Sequence, residues 1–223
     1  MKRKVRFLSE QGFHLAGLLH LPEEAPPYGA VVFAHGYDSG KDSPRNIPIA
    51  AELNARGLAA FLIDFTGHGE SEGEREQSTI EQQTSDLQAA INFLSFQPEI
   101  DRRLIGINGS SSGALAAVLV AVSDERVKSL VLRAPRTDGL EHLAKSVITP
   151  TLIVQGSLDP LLTQTRLFHD QLVCESRLQI IEGGTHLFEN EAHFLAATEA
   201  TVDWFERTLV PRDEAVMSER ARG

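Results

Sequence analysis

The chain has 223 residues, 42% of them apolar and 23% charged, with 17 Gly and 10 Pro in no regular period. Such a composition excludes disordered, fibrous and collagen-like classes and leaves a globular chain long enough to bury a sizeable core. A net charge of -10 disfavours nucleic-acid and anionic-membrane partners, and the single cysteine, Cys174, excludes an internal disulfide and a cysteine-rich zinc site.

In chain order, the basic start Met1–Lys4 is not followed by an apolar signal-peptide core, because Ser9, Glu10 and Gln11 interrupt it. No apolar run approaches the ~18 residues of a membrane-spanning helix, so a cytoplasmic protein with no membrane partner is expected. Residues 3–8 and 13–20 read as a strand pair around Gln11 and Gly12. Ala30–Ala34 is a buried strand, 44–56 a helix opened by Pro44 and closed by Gly57, and Leu58–Asp64 another strand. Ile80, Leu87, Ile91 and Leu94 give residues 79–96 a helical period. A strand over Leu104–Asn108, an Ala/Val/Leu-rich helix over 112–123, and strands Val127–Leu132 and Thr151–Val154 follow. A helix over 161–172, a strand Arg177–Ile181 and a helix over 190–209 complete the pattern.

Strands alternating with helices imply βαβ units: an α/β fold with a mostly parallel central sheet and helices on both faces. No linker or repeat divides the chain, so residues 1–210 are expected to be one domain, and 211–223 a charged, disordered tail.

Ligands of such sheets bind outside the carboxyl ends of the strands. There Gly109-Ser110-Ser111-Ser112-Gly113 fits G-x-S-x-G with Ser111 at its centre. A strand leads into it and a small-residue helix leaves it, the strand–turn–helix of a nucleophile elbow. The alternative is a Gly/Ser-rich loop that binds phosphate through its N–H groups. A serine nucleophile needs a histidine base and an acid to orient it, in the order Ser, Asp or Glu, His. His186 follows a strand; His169 and His193 fall within helical patterns, and His142 lies in an irregular stretch. Asp159, just past the strand at Thr151, is the leading acid, with a helix N-cap as its bland role and Asp138 as its rival. The N–H groups of Tyr37 and Ser112 are the candidate oxyanion donors. His35 precedes the serine and is read as a brace for its loop. The turn from Asp64 to Ser71 is read as structural, because no further ligands accompany Asp64 and His68 to make a metal site. Cys174 shows no sign of activation.

His35-Gly36, the Asp64-x-x-Gly-His-Gly-x-Ser71 turn, Gly-x-Ser111-x-Gly, Asp159 and Gly-Gly-Thr-His186 together resemble the α/β-hydrolase superfamily over residues of about 5–209. Chain length and the segments Ser43–Asn46 and Thr185–Phe188 are similar to its dienelactone hydrolase-like branch, with serine in place of that branch's cysteine nucleophile. Cinnamoyl and feruloyl esterases are similar in the oxyanion loop and the Asp64 turn, but carry a lid before the acid; here the gap between Leu132 and Thr151 leaves no room for a lid domain. The resemblance implies a serine hydrolase that cleaves carboxylic esters of small or medium acyl substrates, with no cofactor and no metal, and a small-molecule ester as partner. Leu161, Leu187 and Phe188 flank the catalytic loops as candidate acyl-pocket residues, with packing as their bland role. A thioesterase or small peptidase would use the same triad, and a non-catalytic binding module is the alternative from another class.

Overall fold

The computed structural model describes residues 1–210; the charged stretch 211–223 lies outside the described residues. Strands β1 (Lys2–Leu8) and β2 (His14–His20) pair antiparallel, from Lys2 opposite His20 to Leu8 opposite His14. Gly12 closes their turn at φ 89°, a conformation that needs no Cβ, and its N–H reaches Ser9 O at 3.1 Å.

The apolar runs form β3 (Tyr28–Ala34), β4 (Ala59–Ile63), β5 (Ile100–Ser110), β6 (Val127–Arg133), β7 (Thr151–Gly156) and β8 (Ser176–Ile181). All eight strands join one sheet in the order β1-β2-β4-β3-β5-β6-β7-β8. β2 pairs antiparallel with β4, and every pair from β4 to β8 is parallel. Every residue of β3, β4 and β7 is buried, which is why these strands read as continuous apolar runs and not as alternation. β5 begins earlier than the sequence predicts. Its first residues pair Ile100 with Tyr28, while Asp101, Arg102 and Arg103 run along a polar margin and mask the strand.

Helices α1 (Asn46–Ala55), α2 (Ile80–Ser95), α3 (Gly113–Ser123), α4 (Leu162–His169) and α5 (Glu191–Leu209) take the predicted places. On one face Ile49 and Leu53 of α1 and Val202 and Phe205 of α5 pack on Val31, Phe33, Leu62 and Val131. On the other, Leu87 and Ile91 of α2 and Ala117 and Val120 of α3 meet Val32, Ile105, Ile107 and Leu132. Alternate residues of each central strand thus serve opposite layers. Local chemistry sets the helix starts: Thr79 Oγ1 accepts from Gln82 N–H at 3.2 Å, and Asn190 Oδ1 accepts from Ala192 N–H at 2.9 Å.

Between β6 and β7, residues 134–150 hold one 3₁₀ turn, Glu141–Ser146, and no helical cap covers the carboxyl end of the sheet there. No described helix is long and apolar enough to cross a membrane.

Candidate active site

Ser111 sits between β5 and α3 at φ 50°, a backbone conformation unfavourable for a residue with a Cβ. Neighbouring strands hold it there: Ser111 N–H donates to Arg133 O at 3.0 Å, and Ser111 O accepts from Arg136 N–H at 3.0 Å. The turn needs its glycines. A Cβ on Gly113 would lie 2.4 Å from the carbonyl oxygens of Ala34 and His35, and one on Gly36 would lie 3.2 Å from Ser111 Cβ. The elbow therefore packs directly on the loop after β3.

His186 lies in the loop after β8 and Asp159 in the loop after β7. The two loops interlock backbone to backbone. Leu158 N–H donates to Gly184 O at 2.9 Å, and a Cβ on Gly156 would fall 2.2 Å from that same oxygen. Asp159 is buried, and its Oδ2 accepts from His186 Nδ1 at 2.7 Å. Its Oδ1 accepts from Leu161 N–H at 2.9 Å, so the carboxylate also serves the turn before α4. His186 Nε2, left as the acceptor, faces Ser111 Oγ at 3.0 Å. Ser112 directly follows Ser111, Tyr37 follows Gly36 in the loop packed against Ser111, and among the described residues neither N–H donates to a protein acceptor.

The other histidines and the rival acid are elsewhere engaged. Phe65 N–H donates to His35 Nε2 at 3.1 Å, so the proton sits on Nδ1, which faces Gly36 O at 2.8 Å. Burial pushes the His35 pKa down to about 4, and the neutral ring braces the loop that carries Tyr37. His142 lies in the 3₁₀ turn, His169 ends α4 and His193 belongs to α5. Asp138 is exposed and pairs with Arg136 at 2.8 Å. Asp64 is buried and accepts from Lys41 Nζ at 2.8 Å, from Lys41 N–H at 2.7 Å and from Glu70 N–H at 2.9 Å. His68 turns its ring nitrogens to the carbonyls of Thr66 and Tyr37. Burial raises the Cys174 pKa, which keeps its thiol protonated and unreactive.

A cleft of ≈ 350 Å³ opens over Ser111 and His186. Tyr37, Leu187 and Phe188 line it. Phe188 is 4% exposed and packs mainly into the core under the cleft. Leu161 does not line it: with its N–H turned to Asp159, it borders a separate shallow depression on the far side of His186. Sequence reasoning missed Arg133, which also lines the cleft at 4% exposure. The one signal for it was its position, a cation placed directly after the apolar run of the strand beside the serine's own.

Residues 25–140 match the family model described as serine aminopeptidase, S33. A dienelactone hydrolase from Anabaena variabilis is similar in structure, with a TM-score of 0.83 and 31% identity over 94% of this chain and 98% of that one. The chain belongs to the α/β-hydrolase superfamily. The chain is also 34% identical to a putative phosphoribosyl transferase of Mycobacterium tuberculosis, over 86% of this chain and 43% of that protein. A thiohydrolase of Aspergillus aculeatus is 37% identical over 68% of this chain and 46% of its own length. The chain thus spans less than half the length of these two curated relatives.

Proposed function

We propose that the protein is a serine hydrolase that cleaves carboxylic esters of small or medium acyl substrates through an acyl-enzyme. The observation that carries this reading is the continuous hydrogen-bonded path from Ser111 Oγ to His186 Nε2, 3.0 Å, and from His186 Nδ1 to buried Asp159, 2.7 Å. In this reading His186 takes the Ser111 proton as Oγ bonds to the acyl carbon, then gives it to the leaving alkoxide as the carbon–oxygen bond breaks. Asp159 fixes the imidazole tautomer and stabilises the imidazolium. The Tyr37 and Ser112 N–H groups donate to the oxygen that gains charge. Water, deprotonated by His186, then bonds to the acyl carbon; the bond to Ser111 Oγ breaks, and His186 returns the proton to Oγ as the acid leaves. Apart from substrate and water, every group that moves charge in this route belongs to the polypeptide.

The cleft volume supports a small substrate, and the open carboxyl end of the sheet supports access from solvent. Thioester cleavage is the second reading, favoured by the 37% identity to the thiohydrolase. Matched 4-nitrophenyl esters, acyl thioesters and aminoacyl amides test the assignment. The proposal expects the esters to have the highest kcat/KM, with turnover abolished in Ser111→Ala. Higher kcat/KM on the thioesters would replace it with the second reading.

A further inference from the structure

Arg133 is the last residue of β6, at the floor of the cleft that holds Ser111 and His186. Along β6 the side chains alternate between layers: Leu130 and Leu132 join one core cluster and Val131 joins the other. Arg133 continues the Val131 side and points to the start of α1, where its Nη1 donates to Asn46 Oδ1 at 3.4 Å. That long contact is the guanidinium's one hydrogen bond among the described residues, although the group carries five N–H donors. Its Nε–H is buried without a partner.

A buried guanidinium normally faces a carboxylate, because the desolvation of the charge is otherwise uncompensated. Here no acidic side chain among the described residues pairs with it. Burial, with a smaller contribution from the like charge of Arg45, lowers the Arg133 pKa to about 10, so the group stays cationic at neutral pH. No nearby acid among the described residues bonds Arg133: Asp38, which also lines the cleft, pairs with Arg75 at 2.7 Å, and Glu189 bonds Thr185 Oγ1 and lies within the field of Arg45. Arg45 and Asn46 line the same cleft. The start of α1 adds the positive end of a helix dipole on that side.

We propose that Arg133, with Arg45 beside it, is a receptor for a carboxylate carried by the substrate, so that the preferred esters are anions with a free carboxylate on one half. The inference rests on the hydrolase reading above and names its substrate class. The planar fork of a guanidinium matches a carboxylate bidentately. For a carboxylate on the acyl half, the reaction is a dicarboxylic half-ester plus water giving the free diacid and an alcohol, with the proton route already described. A carboxylate on the alcohol half would use the same receptor from the leaving-group side.

Two ester pairs separate these sources. One is mono-(4-nitrophenyl) glutarate against its methyl-capped diester; the other is 3-carboxyphenyl butyrate against its methyl ester. The proposal expects one pair to show a kcat/KM preference for the anion of about 10- to 100-fold, the scale of a hydrogen bond to a charged group. Arg133→Met should bring that anion-to-neutral ratio close to one. Equal kcat/KM within both pairs in the wild type, or a preference that persists in folded Arg133→Met, would overturn it. Should Arg133→Met fail to fold, calorimetry on Ser111→Ala decides: glutarate must bind more tightly than neutral glutaramide, and equal binding rejects the receptor. No turnover of any of the four esters would instead reject the hydrolase reading, and the same calorimetry would still decide the receptor.

Discussion

Asp159 and His186 are joined at 2.7 Å across the ends of two adjacent strands, while the second oxygen of Asp159 is committed to the Leu161 N–H. One carboxylate therefore fixes both the imidazole and the turn that presents the carboxylate. Asp159→Asn would keep the size and lose the acceptor that selects the Nδ1–H tautomer. We expect kcat to fall by about 10⁴, as in other triads altered this way, with little change in melting temperature. A loss of under tenfold, measured on any hydrolysed ester, would remove Asp159 from the mechanism.

Gly113 faces the backbone carbonyls of Ala34 and His35, 2.4 Å from where its Cβ would stand. Backbone cannot rotate away as a side chain can, so Gly113→Ala must shift the elbow against the Tyr37 loop. Overpacking of this kind costs about 1–3 kcal/mol, and a displacement near 1 Å at a reacting group costs about 10²-fold in rate. Denaturant unfolding and kcat/KM on one ester read both effects. Wild-type values for both would show that the contact is slack.

Lys41 and Asp64 form a buried pair, with side chains 2% and 1% exposed. Lys41→Met leaves Asp64 charged in the interior without its cation. The expected loss is about 3–5 kcal/mol, typical of a broken buried pair, read by urea unfolding. A change below 1 kcal/mol would mean that the Lys41 and Glu70 N–H bonds alone satisfy the carboxylate.

The His35 pKa is lowered to about 4 in the folded chain, against about 6.5 unfolded. Between these values the unfolded state binds more protons, so stability rises with pH across that window. The contribution is fully present above pH 6.5, and up to about 3 kcal/mol of it is lost as pH falls to 4. Chemical unfolding at pH 7, 5.5 and 4 measures the slope. Wild type should lose more stability over that range than His35→Gln; equal losses would contradict a buried neutral imidazole.

Most of the fold was legible because the buried parallel strands are continuous apolar runs and the helices carry capping and periodic signals. The start of β5 was not, since Asp101, Arg102 and Arg103 lie on its polar margin. The 3₁₀ turns at Arg75–Gln77 and Glu141–Ser146 are too short to create a period. Ser111, His186 and Asp159 stood out because each directly follows a strand in a loop with its own turn chemistry. Leu161 was misjudged because a loop position gives no side-chain direction. Arg133 was missed because the missing carboxylate partner that distinguishes it is a property of three-dimensional packing.

The central claim is that Ser111 Oγ is an activated nucleophile, and it is tested most directly by its reaction with a fluorophosphonate probe. After brief exposure of the folded protein near neutral pH, peptide mass spectrometry should find one covalent adduct, on Ser111, absent from Ser111→Ala and from His186→Ala. A folded protein with no adduct, or with an adduct on another residue, would contradict the account.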